Sequence, residues 1–148
     1  MKNLLGELLL CLVLVVSIGC ASRNEVARIT SPSGKVDAVL VETNGGATTS
    51  FGYEIFVVPT QASTRLRKDV AWFYGAVRSD QAYGVNLKWS DPSNLNLEYL
   101  KARWQEVRMP TVSIAGQEIH VTLKSGVTDP MAPPGGMLTN LQGRPHDK

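Results

Sequence analysis

Runs of alternating apolar and polar residues, each ended by a turn signal, recur about every ten residues along most of this chain. The clearest run places Val85, Leu87 and Trp89 at every second position. Residues 95–99 repeat the alternation after a turn at 91–94. Strict alternation puts one set of side chains on a buried face and the other set in solvent. The two runs therefore predict a half-buried β-hairpin, and the recurrence predicts a fold built from strands.

Six further segments carry strand signals of the same kind. In residues 70–77, Trp72 and Tyr74 lie on one face of the predicted strand and Phe73 lies on the other. Apolar side chains on both faces are typical of a central strand that is covered on both sides. The last two segments lie close enough in sequence to form a second hairpin. The six segments are residues 26–30, 36–43, 51–58, 70–77, 112–114 and 119–123.

One segment has helical spacing instead. Leu100, Trp104 and Val107 are spaced as one face of a short helix, which Pro110 would end. We therefore expect a short helix near residues 100–108, with Trp104 in the core. Together the segments predict an all-β, mainly antiparallel fold, either a sandwich or a small barrel, of about seven or eight short strands.

The first twenty residues have the pattern of an export signal. Lys2 gives a positively charged start, and residues 4–18 are almost wholly apolar. A basic start followed by an apolar stretch of about 7–15 residues and by small residues is typical of a secretory signal. A membrane-spanning helix needs roughly 20 apolar residues, and this run turns polar directly after Cys20. The segment therefore predicts a cleaved signal peptide over residues 1–19.

The end of that segment, Val16-Ser17-Ile18-Gly19-Cys20, resembles the lipobox of bacterial lipoproteins. The resemblance implies that Cys20 receives a diacylglycerol, becomes the mature N-terminus and carries acyl chains, palmitate among them, that anchor the protein in a membrane. Ala21 resembles the residues that permit transfer to the outer membrane, so in a Gram-negative host we expect a position there, facing the periplasm. The mature part is similar in character to small bacterial lipoproteins of uncharacterised function, which implies a class and no activity.

The predicted organisation therefore has four parts. Removing the signal takes away one residue of each charge, so the net charge stays at +2. That balance does not favour a nucleic-acid partner. The parts are a signal peptide over residues 1–19, a lipidated N-terminus and tether over 20–25, a single β-domain over 26–128 and a Pro/Gly-rich irregular tail over 129–148.

Side chains that commonly carry catalysis or bind metals are sparse. With Cys11 discarded and Cys20 lipidated, the mature domain has no thiol for a disulfide, a nucleophile or a zinc site. His120 should face solvent or a groove, because Ile119 and Val121 take the buried face of its strand. The sequence has no Gly-x-Ser-x-Gly elbow, His-x-x-x-His pair or acidic calcium loop. We therefore predict no catalytic residue, no metal site and no cofactor.

The loop over residues 44–50 is the first candidate for a small ligand. Its glycines expose backbone N–H groups and its hydroxyls follow directly, so it could cradle an anion or a sugar. The alternative is a flexible hairpin connection in which glycine supplies a positive φ. The candidate ligand-binding residues are Gly45, Gly46, Thr48, Thr49 and Ser50.

Two other segments are candidates for contact with a partner. The cations of residues 65–68 suit acidic headgroups or an acidic protein, and the alternative is a solvated loop. The prolines and apolar residues of 129–138 suit capture in a partner's groove, and the alternative is a cover for an edge of the chain's own sheet. A second basic group surrounds Trp104, and arginine there could stack on the indole. The partner candidates are Arg65, Arg67, Lys68, Pro133, Pro134 and Met137, and the second basic group is Lys101, Arg103 and Arg108.

These patterns favour a membrane-anchored, exported protein without enzymatic activity that binds a partner protein of the cell envelope. The alternative is a ligand-binding module for a glycan, a lipid or an anion, centred on residues 45–50. A cell-wall hydrolase is a third hypothesis, which would require His120 to take part in catalysis.

Overall fold

The computed structural model describes residues 21–62 and 64–142. The predicted signal peptide, the predicted lipidation site Cys20 and residues 143–148 of the predicted tail lie outside the described residues. Within the described ranges the chain forms nine strands, one 3-10 turn and one short helix. Their bounds are β1 (Ser22–Thr30), β2 (Val36–Asn44), β3 (Gly52–Pro59), the 3-10 turn (Thr64–Leu66), β4 (Lys68–Tyr74), β5 (Asn86–Asp91), β6 (Asn94–Glu98), β7 (Trp104–Val107), β8 (Thr111–Ile114), β9 (Gln117–Lys124) and α1 (Met137–Gln142).

The strands form two sheets that share one core. The first sheet has the order β1-β2-β3-β4-β7 and is antiparallel throughout. The second has the order β5-β6-β9-β8, in which only β6 and β9 run parallel. Buried side chains from both sheets, such as Ile55 and Phe73 from the first and Leu97 and Ile119 from the second, form one cluster. The all-β, mainly antiparallel prediction is confirmed. Because each sheet ends in edge strands, neither closes into a barrel.

Both predicted hairpins are present. Strands β5 and β6 pair Leu87 with Leu97 and Trp89 with Leu95. Leu95 and Leu97 are fully buried, as the alternation predicts. The Trp89 indole donates a hydrogen bond to the Ile29 carbonyl at 3.2 Å, which fastens this hairpin to β1 of the other sheet. The second predicted hairpin is formed by β8 and β9.

The carboxylate of Asp91 organises the turn of the first hairpin. It accepts the backbone N–H of Ser93 at 2.8 Å and the side-chain amide of Asn94 at 2.8 and 2.9 Å. These hydrogen bonds, that from Ser93 foremost, favour the charged form of the carboxyl and lower the pKa of Asp91 below its ordinary value of 3.8.

Replacing Asp91 with alanine should therefore destabilise the protein at neutral pH but not in strong acid. A carboxyl whose pKa is lowered by folding contributes stability that is present above its unfolded-state pKa. That contribution is lost as the pH falls through the folded-state pKa. We expect the Tm of Asp91→Ala to lie below that of the wild type at neutral pH and the two values to converge once the pH falls below the lowered folded-state pKa of Asp91. Circular dichroism melts across this range measure the difference, and a Tm gap that does not change with pH would contradict the prediction.

The predicted helix near residues 100–108 is wrong. Residues 104–107 form β7, which pairs Trp104 with Tyr74 and Gln105 with Phe73 along β4. Trp104 is 46% exposed, so its predicted place in the core is also wrong. The helical spacing of three apolar residues indicates only a local preference. Pairing of residues 104–107 with the edge of β4 that β3 does not cover outweighs that preference.

The two ends of the described chain are more ordered than predicted. Residues 22–25, expected to form a tether, belong to β1 and pair with β2. Residues 137–142, expected to be irregular, form α1. The helix starts there because Met137 is buried in the core and its backbone N–H donates to the Glu42 carboxylate at 2.8 Å. The burial of Met137 and its hydrogen bond with Glu42 cannot be predicted from composition, because the residues that Met137 contacts lie far from it in sequence.

Candidate functional site

A cleft with a volume of about 330 Å³ opens at the end of the first sheet where β4 ends and β7 begins. It brings together three parts of the chain that are distant in sequence. The loop before β3 contributes one residue, the segment after β4 contributes one wall, and the segment before β7 contributes the other wall. The lining residues are Ser50, Gly75, Val77, Tyr83, Lys101, Ala102 and Arg103.

Backbone hydrogen bonds hold the two walls together. The chain leaves β4 through Gly75 in a left-handed conformation, with φ at 62°, and the Gly75 N–H donates to the Phe51 carbonyl at 2.8 Å. The Val77 N–H then donates to the Lys101 carbonyl at 2.9 Å. A Cβ atom at position 75 would lie 2.9 Å from Cγ and Cδ of Arg103. Glycine therefore provides both the turn and the space in which the arginine side chain crosses the strand end.

Two cations, Lys101 and Arg103, line the cleft, and both are exposed. Within the described residues, neither side chain forms an ion pair. Cations that line a concave surface attract anions when no carboxylate pairs with them. By contrast, several other basic residues within residues 21–62 and 64–142 pair with carboxylates, among them Arg23, Arg28, Lys88, Arg108 and, when it is protonated, His120.

Tyr83 gives the cleft an aromatic side. Its ring meets that of Phe51 edge-on, with 5.1 Å between centroids, and the residue remains 39% exposed. Its backbone is held from two directions, because its N–H donates to the Gly135 carbonyl at 3.0 Å and its carbonyl accepts Nε of Arg78 at 3.1 Å. The tyrosine is therefore presented to the cleft from a well-anchored loop.

A buried polar cluster supports the loop that carries Tyr83. Arg78 and Glu42 are only 8% and 3% exposed. The Glu42 carboxylate accepts the Tyr53 hydroxyl at 2.9 Å and the backbone N–H groups of Met137 and Leu138 at 2.8 and 3.3 Å. Burial, reinforced by the negative charge of Glu42, raises the pKa of the Tyr53 hydroxyl above its usual range. The hydroxyl therefore stays protonated and remains a donor to the carboxylate.

The C-terminal segment, residues 129–142, packs over this cluster. The Gly135 N–H donates to the Gln81 carbonyl at 2.8 Å, and the Gly135 carbonyl accepts the N–H of Tyr83. Gly135 is therefore hydrogen-bonded to the 81–83 loop through both of its backbone groups. Of the three partner candidates in the segment, Pro133 and Pro134 are exposed, whereas Met137 is 9% exposed and packs in the core. Gly135 and Met137 therefore pack against the chain's own domain, whereas Pro133 and Pro134 stay exposed, and their predicted contact with a partner remains a prediction.

The predicted ligand loop adjoins the cleft but contributes little to it. Of its five candidate residues, Ser50 alone lines the cleft. The Gly46 N–H is taken up by the Asn44 side chain at 2.9 Å, and the Thr49 hydroxyl donates to the Gly46 carbonyl at 3.0 Å. Hydrogen bonds within the loop therefore already engage the Gly46 N–H and the Thr49 hydroxyl, two groups that could otherwise bind an anion. The other four candidates, Gly45, Gly46, Thr48 and Thr49, are exposed.

The predicted basic segment over residues 65–68 lies on a different surface. The Arg67 guanidinium stands 4.6 Å above the ring of Phe56, which belongs to a second apolar cluster with Val39 and Val58. Arg67 therefore covers an apolar group of its own sheet. Arg65 and Lys68 are exposed.

The second basic group is divided by the fold. Lys101 and Arg103 line the cleft, while Arg108 pairs with Asp69 and with Glu106. A helix over residues 100–108 would keep these cations together, whereas the strand over residues 104–107 separates them. Tyr83 is a site residue that no local pattern marks, because its position depends on backbone contacts with Gly135.

His120 lies at the surface, as predicted. Its side chain is 45% exposed, with Nε2 at 3.4 Å from the Glu118 carboxylate and Nδ1 at 3.2 Å from the Thr111 hydroxyl. Over residues 21–62 and 64–142, no three His, Cys, Asp or Glu side chains are grouped so that they could hold a metal ion.

Comparisons with known proteins add no functional assignment. Within the described ranges, no helix is long and apolar enough to cross a membrane. No protein-family model, curated protein or solved structure matches this chain. A functional assignment therefore depends on the arrangement of the cleft residues.

Proposed function

We propose that this chain is a lipid-anchored, exported protein whose β-domain binds an anionic ligand in the cleft and catalyses no reaction. One observation carries the proposal: Lys101 and Arg103 both line a concave site, and neither forms an ion pair with a described carboxylate. An anionic group between the two side chains would complete charge-assisted hydrogen bonds that the described carboxylates do not supply.

The other lining residues suit a small polar ligand. Ser50 and Tyr83 also line the cleft, and a serine can supply a hydroxyl and a tyrosine an aromatic ring. A volume of about 330 Å³ is at the lower end of the range for small-ligand sites. A carboxylate or phosphate with a short organic group fits these features, whereas a long acyl chain would find few apolar side chains to contact.

Binding of a partner protein through the segments predicted for it has less support. Met137 is buried, and Arg67 lies against Phe56. The anchor itself rests on the resemblance of residues 16–20 to a lipobox.

Addition of a small anion should stabilise the protein if the cleft binds it. We expect glycerol phosphate or glucuronate to raise the Tm of the full-length protein in neutral detergent, and glycerol or glucose to leave it unchanged. A ligand at a concentration of 100 times its Kd stabilises the folded state by about 2.7 kcal/mol, which is several degrees for a domain of this size.

A double variant identifies the site of that effect. Lys101→Ala combined with Arg103→Ala should lose the rise in Tm, because each substitution removes one charge-assisted contact. Lys35→Ala is the matched control, since Lys35 is an exposed cation in the β1–β2 turn, at the opposite end of the same sheet. If neither anion raises the Tm, or if the double variant responds like the control, the proposed function is wrong.

A further inference from the structure

The start of β1 lies close to the point where a lipid would be attached. β1 begins at Ser22, which is two residues after Cys20. A polypeptide covers at most about 3.6 Å per residue, so a lipid on Cys20 would join the chain within roughly 7 Å of the first strand. The domain would therefore be held with this end of the first sheet against the membrane surface.

The cleft lies at that same end of the sheet. The strand register aligns one residue from each of the five strands in a single row across the sheet. Neighbouring strands are about 4.8 Å apart, so the row is roughly 20 Å long. Its far end adjoins the cleft, because the Tyr74 hydroxyl accepts the Ser50 N–H at 3.0 Å. The row consists of Arg23, Thr43, Gly52, Tyr74 and Trp104.

Three aromatic side chains, Trp72, Tyr74 and Trp104, form what we call the aromatic surface. The rings of Trp72 and Tyr74 are nearly parallel, at 14° and 6.1 Å between centroids. Trp104 packs against Trp72 at 4.7 Å. Cross-strand pairing places all three on the outer face of the sheet, opposite to the buried Phe73. Tryptophan and tyrosine favour the water–membrane interface, because one part of each ring system is apolar and another is polar.

From these positions we infer that the cleft and the aromatic surface dock on the membrane that carries the anchor, with Lys101 and Arg103 binding the phosphate groups of anionic phospholipid headgroups. The inference rests on the proposed function and names its ligand. Charge complementarity supports it, since cations near an anionic membrane surface are attracted to it, and salt screens that attraction. A phosphate compound free in solution has the same chemistry, so the experiment must separate the two sources.

The test uses the full-length, lipidated protein in two kinds of vesicle. One is made of phosphatidylcholine alone, and the other also contains phosphatidylglycerol. Both hold the protein through its anchor, so any difference reports on the orientation of the domain. A spin label on a small fraction of the headgroups quenches tryptophans that lie at the surface. The chain has 3 tryptophans, of which Trp104 is an exposed one. We expect quenching to be about twofold stronger in the anionic vesicles at low salt.

Variants assign that excess quenching to the inferred surface. Trp104→Phe should reduce it, because one of the two tryptophans of the aromatic surface is lost while an aromatic ring remains and Trp72 still reports on the membrane. Lys101→Ala with Arg103→Ala should remove it, whereas Lys35→Ala at the opposite end of the sheet should retain it. Equal quenching in the two kinds of vesicle, excess quenching that survives the double variant, or excess quenching that Trp104→Phe leaves unchanged would overturn the inference.

Failure of the inference can be distinguished from failure of the proposed function. If soluble glycerol phosphate raises the Tm through Lys101 and Arg103 but quenching is equal in both vesicles, the ligand comes from solution and only the docking inference is wrong. If glycerol phosphate and glucuronate have no effect on the Tm and quenching is equal as well, both are wrong.

Discussion

Replacing Glu42 with alanine should lower the free energy of unfolding by about 4 kcal/mol, because three hydrogen-bond donors would lose their acceptor in a buried place. The carboxylate accepts the hydroxyl of Tyr53 and the backbone N–H groups of Met137 and Leu138. Each unsatisfied buried donor costs about 1–3 kcal/mol, and partial entry of water would reduce the total. The C-terminal segment should detach first, since it depends on this acceptor.

Urea unfolding measures the loss of stability, and hydrogen exchange of residues 129–142 shows where it begins. Glu54→Ala is the matched control, because Glu54 is a partly exposed carboxylate of the same sheet that pairs with Arg23. An ion pair of this kind contributes about 0–1 kcal/mol. If Glu42→Ala costs no more than Glu54→Ala, or if exchange in the C-terminal segment stays slow, Glu42 does not hold the segment.

The second large effect is expected at Gly84, where the side chain of Met137 from the C-terminal segment packs against the backbone. Gly84 has a φ of 131°, which side-chain-bearing residues rarely adopt, and a Cβ there would lie 2.6 Å from Sδ of Met137 and 2.7 Å from Nε of Arg78. Backbone strain and overpacking each cost about 1–3 kcal/mol, so Gly84→Ala should lose about 3–4 kcal/mol.

Gly34→Ala separates these two causes. Gly34 also has a positive φ, 72°, but nothing lies within 4 Å of a Cβ built there, so only the backbone strain remains. We expect a loss of about 1 kcal/mol in this control. Urea unfolding of both variants gives the comparison, and equal losses at the two positions would mean that the contacts of Met137 and Arg78 with Gly84 are unimportant.

The parts of the fold that the sequence predicts are those determined by neighbours along the chain. The β5–β6 hairpin is an example, because alternation, the turn at Asp91 and pairing of adjacent segments all act within residues 85–99. Strand β7 is the opposite case. Its apolar spacing fits a helix, and only the free edge of β4, which lies about thirty residues earlier, makes it a strand.

The candidate site can be predicted only in pieces. The sequence marks Ser50 by its place after a glycine pair and marks Lys101 and Arg103 as part of a basic group, but nothing in it joins them. They meet because the segments after β4 and before β7 form backbone hydrogen bonds with each other. Tyr83 depends on contacts with Gly135, and Met137 depends on Glu42, so tertiary structure decides the position of each.

The most direct test of the central claim, that the cleft binds an anion, is to map the bound position by NMR. Glycerol phosphate is titrated into isotope-labelled, full-length protein in neutral detergent while backbone amide signals are recorded. We expect saturable shifts at the residues around the cleft, namely Ser50, Gly75, Val77, Tyr83 and the segment 101–103. Those shifts should be absent in the Lys101→Ala, Arg103→Ala variant. Saturable shifts confined to the 45–49 loop or to residues 65–68, or no shifts at all, would contradict the claim.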